Sequence, residues 1–492
     1  MKRVLLSVAV ALAVVVALAS PASLAQDRSA PPKPGPARPF TIQQPQEFKL
    51  KNGLRVLLLQ RTRAPLVDVV ASVKAGIAAD PNGLPGVAGW TAAMLTEGAG
   101  ALDAIAFSDA IAALGARMSA DAQPEHSSVS LHTTSARFAD AMKLYALALT
   151  APRFADADWK RVRQSTLGYF MYQSQDPQEL AGLAGARENW GADHRFGKNL
   201  GGTPRALVAT TTKDLRAFHA AHYRPDTTTL VVVGDVDKSS AQRILEDTLG
   251  AWSATGAAPA TPKLAGPLPV TSNRVVTVHV PNAAQTILRV QAPAPADIQP
   301  YTADVDVMNT LLGGSFTSRL NSNLREAHGY SYGAGSRVGL FSFGNVFLVR
   351  TSVATPVTAP AATEIFRELA RMSEQAPTSD EVERVRNLAA LSMPSAFDNG
   401  EATANVWASI VAKNIDPARV QRFMVDALKV DAKALQATAQ RVLSPKWTLV
   451  AVGDVDAIGK DLDAFGPRSA LTLTDLLPGL EEAAAAIQPA GE

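Results

Sequence analysis

Two stretches of this chain are near copies of one another, and that constrains its fold more than anything else. Thr229-Leu230-Val231-Val232-Val233-Gly234-Asp235-Val236-Asp237 returns as Thr448-Leu449-Val450-Ala451-Val452-Gly453-Asp454-Val455-Asp456, 219 positions later. Each copy follows a helical segment and runs, apolar and β-branched, into a Gly-Asp turn, which reads as a buried strand. Recurrence at the same place in each half implies duplication. The length of 492 residues agrees, because single cores stop growing at ~250–300 residues. A stretch rich in Ala, Thr, Pro and Gly, Ser253–Pro267, divides the chain into near-equal parts and reads as a linker. The expected fold is α+β: two tandem homologous halves, each a mostly antiparallel sheet with helices packed on one face.

Local signals place elements within that frame. Phe48 to Leu58 is strand, Asn52-Gly53 turn and strand, the strongest short hairpin pattern. Leu66 to Ala75 continues as a β-branched strand. Helices are expected from Ser108 to Leu114 with Gly115 behind it, from Phe138 to Leu149, from Thr212 to Phe218 and onward to Pro225, and after the capping sequence Thr378-Ser379-Asp380-Glu381. The expected layout is 1–25 signal peptide, 26–44 flexible arm, 45–252 first domain, 253–268 linker, 269–468 second domain and 469–492 tail.

The N-terminus carries an export signature. Lys2 and Arg3 precede the apolar run Val4–Ala19, and Pro21 is followed by Ser23-Leu24-Ala25, small residues suited to cleavage before Gln26. A spanning helix needs ~20 apolar residues, so cleavage is favoured over anchoring. The absence of cysteine excludes disulfides, thiolate metal sites and a cysteine nucleophile. A net charge of +2 without a basic stripe argues against nucleic acid as the partner. The expected address is the periplasm.

The candidate site lies in the second half. Leu311-Leu312-Gly313-Gly314-Ser315-Phe316-Thr317-Ser318-Arg319-Leu320 precedes Leu324-Arg325-Glu326-Ala327-His328-Gly329-Tyr330-Ser331-Tyr332-Gly333. Gly313-Gly314 lacks a phosphate-binding pattern and follows a helix, so its use is close approach of backbone to substrate or to a neighbouring strand. Ser315 and Ser318 lack the context of a nucleophile elbow. A helix ending near Gly329 and a strand beginning near Tyr332 can bring Arg325 and Tyr332 to one side of a sheet. Their bland alternatives are pairing of Arg325 with Glu326 and simple packing of Tyr332.

This run resembles the C-terminal signature of the pitrilysin/insulinase peptidases, family M16, which include mitochondrial-processing-peptidase-like chains. Asp193-His194-Arg195-Phe196-Gly197, Gly201-Gly202-Thr203-Pro204 and Phe218 to Asp237 resemble first-half stretches of the same family. The resemblance implies that Arg325 and Tyr332 bind the substrate carbonyl and that Gly313 and Gly314 line the substrate site. It also exposes a loss. Where the family carries the zinc motif H-x-x-E-H, this chain has Gly89-Trp90-Thr91-Ala92-Ala93. Gly89, Ala92 and Ala93 replace both histidines and the glutamate, and none can ligate a metal or move a proton. The third ligand would fall near Tyr169 or Phe170, and no glutamate occurs between Glu125 and Glu179. The family's substrate strand, usually bearing Asn-Ala, corresponds to Ser119-Ala120.

Other histidines have bland readings. His219 and His222 stand at i and i+3 but lack a third ligand, so a solvated helix face is expected. His126, His132 and His279 read as surface or core residues, and His328 is left out of the site. The resemblance implies a chain that holds no cofactor itself and supplies the Arg/Tyr pair to a homologous partner carrying H-x-x-E-H and zinc, for hydrolysis of peptides. The alternative is an inactive binding or assembly protein of the same fold.

Overall fold

The computed structural model describes residues 40–487. The expected signal segment and most of the expected arm lie outside the described residues. In the first half the strands are β1 (Gln46–Lys49), β2 (Arg55–Gln60), β3 (Leu66–Val73), β4 (Arg117–Ala122), β5 (Ser127–Thr134) and β6 (Thr228–Gly234). In the second they are β7 (Arg274–His279), β8 (Gln285–Ala294), β9 (Ser331–Phe341), β10 (Gly344–Ala354), β11 (Thr448–Gly453) and β12 (Arg468–Leu471). They build two six-stranded sheets of order β1-β2-β6-β3-β5-β4 and β12-β7-β11-β8-β10-β9.

The duplicated sequence is duplicated structure. β6 and β11, the two copies, hold the third place in their sheets, and every residue of both is buried. Each runs parallel to one neighbour, β2 or β7, and antiparallel to the other, β3 or β8. The repeated glycine at the strand end has a steric cause. A Cβ on Gly234 would lie 2.2 Å from the carbonyl oxygen of Leu66, and one on Gly453 would lie 2.9 Å from Thr286 Oγ1.

Alternation within the strands divides the apolar residues between two faces. In the first sheet Val56, Leu58, Val67, Val69, Leu230 and Val232 meet the half's own helices. Tyr145, on helix Phe138–Thr150, ties that layer to the sheet: its hydroxyl donates to Val129 O at 2.8 Å and accepts from Ala71 N at 3.0 Å. Leu57, Leu59, Val70, Val231 and Val233 face the other way and pack with Trp407, Ala408 and Ile410. These belong to helix Gly400–Ala412 of the second half, which crosses β3 and β6. The exchange is reciprocal. Helix Pro177–Trp190 of the first half lies across β8 and β11, and Gln291 Nε2 donates to Gly185 O at 2.7 Å. Thus each sheet, besides its own helices, receives one from the other half.

Local expectations fared unevenly. The hairpin, the helix Phe138–Thr150, the helix Thr212–His222 and the Thr378/Glu381 capping box all form. The helix expected from Ser108 instead begins at Ala104, because Asp103 caps it by accepting from Ala106 N. The segment 469–492, expected as a tail, is built into the fold as far as it is described. β12 pairs in parallel with β7, taking the edge place that β1 has in the first sheet. Helices Leu473–Leu476 and Leu480–Ile487 then carry Leu476, Leu477, Leu480, Ala483 and Ile487 into the first-half core. Residues 480, 483 and 487 form the one-sided apolar pattern of a packed helix. From Phe40 on, the chain is one compact unit.

Candidate functional site

The second-half motif forms a helix–turn–strand whose pieces are pinned individually. Helix Ala303–Leu312 ends at Gly313. A Cβ on Gly313 would meet Ser336 N at 2.4 Å, so glycine lets the turn close on β9, and one on Gly314 would meet Asn309 Nδ2 of the preceding helix at 2.8 Å. Ser336 N donates to Gly313 O at 3.0 Å, which makes close approach to the neighbouring strand the structural task of Gly313. Arg319–Asn321 begins the next helix, and Ser322–Ala327 completes it as a π-helical turn. Such turns are rare and cluster at functional sites. Gly329, at φ +63°, ends the turn and admits β9. Buried Asn321 locks the assembly: its amide donates to Phe316 O at 2.6 Å, and its carbonyl accepts from Ala334 N at 3.2 Å.

The result is a cleft of about 730 Å³ lined by Gly313, Gly314, Phe316, Tyr332, Arg350 and, from the first half, Gln178. Tyr332 is 92% exposed, and its hydroxyl has no hydrogen-bond partner among the described residues. Gly313, Gly314 and Tyr332 therefore share one cavity. Arg325 stands at its rim, not in its lining. Its guanidinium lies 4.4 Å from the ring centroid of Phe316, itself a lining residue, and its Nε is 3.4 Å from Glu326 Oε1. His328 stacks on Tyr330 at 4.9 Å, with Nε2 3.8 Å from Glu364. The sequence reading missed Arg350, Asn321 and Gln178. The signal for Arg350 was a lone charge ending the apolar run Val346-Phe347-Leu348-Val349.

The family model described as "Insulinase (Peptidase family M16)" matches residues 55–183, and that described as "Peptidase M16 inactive domain" matches residues 209–389. The chain belongs to peptidase family M16. A protein of Mycobacterium tuberculosis named an uncharacterized zinc protease is 24% identical over 317 residues, 63% of this chain and 70% of that protein. One of Streptomyces coelicolor with the same description is 25% identical over 342 residues, 68% of this chain and 73% of its own length. Among solved structures, a peptidase M16 inactive domain from Pseudomonas fluorescens superposes with a TM-score of 0.77 at 25% identity, covering 84% of this chain and 98% of that one. A protease from Helicobacter pylori gives 0.75 at 18% identity, covering 84% and 100%, a likeness of fold.

Relatives named zinc proteases raise the question whether this M16 chain can hold zinc at the corresponding place. Helix Val87–Met94 carries Gly89 and Ala93 one turn apart on its half-buried face, and Ala92 is wholly buried. None has a side-chain nitrogen, oxygen or sulfur. A Cβ on Gly89 would meet nothing within 4 Å, so crowding is not what requires glycine there. Phe170 is buried in the core, while Tyr169 stacks on Tyr172 at 6.2 Å. These residues do not fit the metal.

Asp80 sets the entry to that helix, accepting from Gly86 N at 2.8 Å and Ala88 N at 2.7 Å. Burial pushes its carboxyl up to about 6, against the pull of those two bonds. His219 corrects the expectation of a solvated face: it is buried, its Nε2 lies 3.0 Å from Leu149 O, and burial pushes it down to about 4. That contact engages one of its two ring nitrogens.

Two other groups of potential ligands occur among the described residues, both away from helix Val87–Met94. Asp68, His132 and Glu401 meet where helix Gly400–Ala412 crosses the first sheet. There His132 Nδ1 and Asp68 Oδ1 are already joined at 2.6 Å, and Arg117 stands 4.0 Å from Glu401. The second group is His279, Asp454 and Asp456.

Proposed function

We propose that this chain is the carbonyl-binding member of a two-chain M16 peptidase, exported to the periplasm, with a homologous partner that carries H-x-x-E-H and its zinc. The carrying observation is Tyr332. An aromatic side chain left 92% exposed at the mouth of a cleft, without a polar partner among the described residues, suits a group that meets a ligand. Its phenol donates a hydrogen bond to the oxygen of the scissile carbonyl. Arg325, one rearrangement away from its resting place over Phe316, adds a charged donor. Both act where negative charge grows on that oxygen, and the zinc chemistry belongs to the partner. Gly313 and Gly314 keep the floor of the cleft free of side chains.

The test is made on the reconstituted pair. Tyr332→Phe keeps the ring and removes one donor, so turnover should fall by ~10²–10³ with little change in partner affinity. Arg325→Ala should be at least as damaging. A copurifying homologue bearing H-x-x-E-H supports the assignment. Wild-type turnover by both variant complexes would instead make the chain a binding or assembly protein of M16 fold.

A further inference from the structure

Three arginines stand together on one face of the second sheet with no carboxylate to answer them. Arg289 in β8 and Arg350 in β10 are direct cross-strand partners. Arg337 in β9 pairs with Leu348, two residues along from Arg350, and so shares its face. None of the three guanidinium groups makes a hydrogen bond or ion pair among the described residues. Arg289 Nε is sealed from solvent against Gly185 of helix Pro177–Trp190. Gln291 Oε1, packed against the same glycine, is neutral and leaves the charge uncompensated.

Such an arrangement works against folding. Like charges directly opposite in a sheet destabilise it, and a half-buried guanidinium without an acceptor loses hydration for nothing. Burial and then its two arginine neighbours push Arg289 down to about 10. Burial and Arg350 likewise lower Arg337. Nothing in the fold is repaired by the trio. Arg350, however, lines the cleft beside Tyr332, and that lining contains no aspartate or glutamate. Uncompensated charges held together at the expense of stability, one of them in the wall of a cavity, are suited to a ligand of opposite sign.

We propose that Arg289, Arg337 and Arg350 form a carboxylate-binding subsite of the cleft, which selects peptides bearing an acidic side chain or a free C-terminal carboxylate near the bond held by Tyr332. This rests on the peptide-binding reading above. Arg350 and Arg337 supply planar forks that match a carboxylate bidentately, and Arg289 adds charge from beneath. An anion there relieves the repulsion that the empty cleft tolerates.

The experiment reads binding to this chain alone, by fluorescence anisotropy at ~0.15 M salt, where exposed charges are screened beyond ~8 Å. Three labelled decapeptides serve as probes: a blocked peptide with two central glutamates, the same with glutamines, and the glutamine peptide with a free C-terminus. One of the two carboxylate peptides should bind at least about tenfold more tightly than the blocked glutamine peptide, and which one identifies the source of the carboxylate. In Arg337→Gln/Arg350→Gln that preference should shrink to under about threefold, and the variant should melt at or above the wild-type temperature. Equal binding of all three peptides, including no binding by any, overturns the proposal. So does a preference that survives in the variant, or a variant that melts well below wild type, which would make the arginines structural. Wild-type turnover in the Tyr332→Phe complex would sink the carbonyl-donor role and leave this binding result standing.

Discussion

Arg319 opens the turn that carries Arg325, and it does so as a charge within the core. Its guanidinium is buried and makes two bonds of 2.8 Å to Glu381, the residue that also closes the capping box on Thr378 N at 2.9 Å. One carboxylate therefore fixes both the site turn and the start of helix Ser379–Ser395. The Arg319 bond, with help from Thr378 and in spite of burial, holds Glu381 down at about 2. A depressed carboxylate stabilises the folded state fully above its ordinary value, near 4.5, and the contribution fades as pH falls from there towards 2. Glu381→Ala should cost ~3–5 kcal/mol at pH 7, because it leaves Arg319 buried and unpaired. Glu381→Leu with Arg319→Met should recover most of that loss. Chemical denaturation at pH 7 and pH 3 measures both effects. A single variant as stable as wild type would show that solvent, not Glu381, answers Arg319. The sequence displayed Glu381 as a capping residue and gave no hint of its second partner, because an ion pair across 62 positions leaves no local pattern.

Elements divide by how local their instructions are. The hairpin at Asn52-Gly53, the capping box at Thr378 and the repeated strand are written in adjacent residues, and each was legible. The helix at Ala104 was misplaced because Ser108, also a good capping residue, lies inside it. Gly313, Gly314 and Tyr332 could be grouped through the family signature, yet the arginine trio could not, being assembled from three strands. Nor could the docking of the last helices be read, since an apolar stripe specifies that a face is buried but not against what. Leu477 is 1% exposed within the first-half core, whereas Leu473, one turn earlier, is 40% exposed. Leu477→Ala should therefore cost ~2–4 kcal/mol, and Leu473→Ala less than ~0.5 kcal/mol. Equal, small losses at both positions would mean that the terminal helices rest on the first half without stabilising it.

At the scale of the whole molecule the two halves are similar in plan but not independent in energy. Each sheet leaves an apolar face that its own helices do not cover. Val70, Val231 and Val233 await Trp407 and Ile410, while Ile287, Val450 and Val452 join a core that continues into the first half. The joint extends to the site, where Gln178 of the first half lines the same cleft as Tyr332, and Ser342 N, beyond β9, reaches Glu125 at 3.2 Å. A duplicated sequence alone suggests two domains that fold separately, but exchanged helices make that costly, because each half in isolation would expose a broad hydrophobic patch. The chain can be tested by cutting it within the irregular segment after Ala260, beyond the carbonyls of Thr255 and Gly256 that accept from Arg224. Fragments 40–260 and 261–487, expressed together, should copurify as a one-to-one pair with a Kd at or below ~1 μM and regain the helical content of the intact chain. Expressed singly, each should aggregate or expose surface that binds a hydrophobic dye. Two fragments that are separately monomeric, melt cooperatively and ignore one another would show the crossing helices to be ornaments. The cleft would then belong to the second half alone, and peptide binding by the fragment 261–487 should match that of the whole chain.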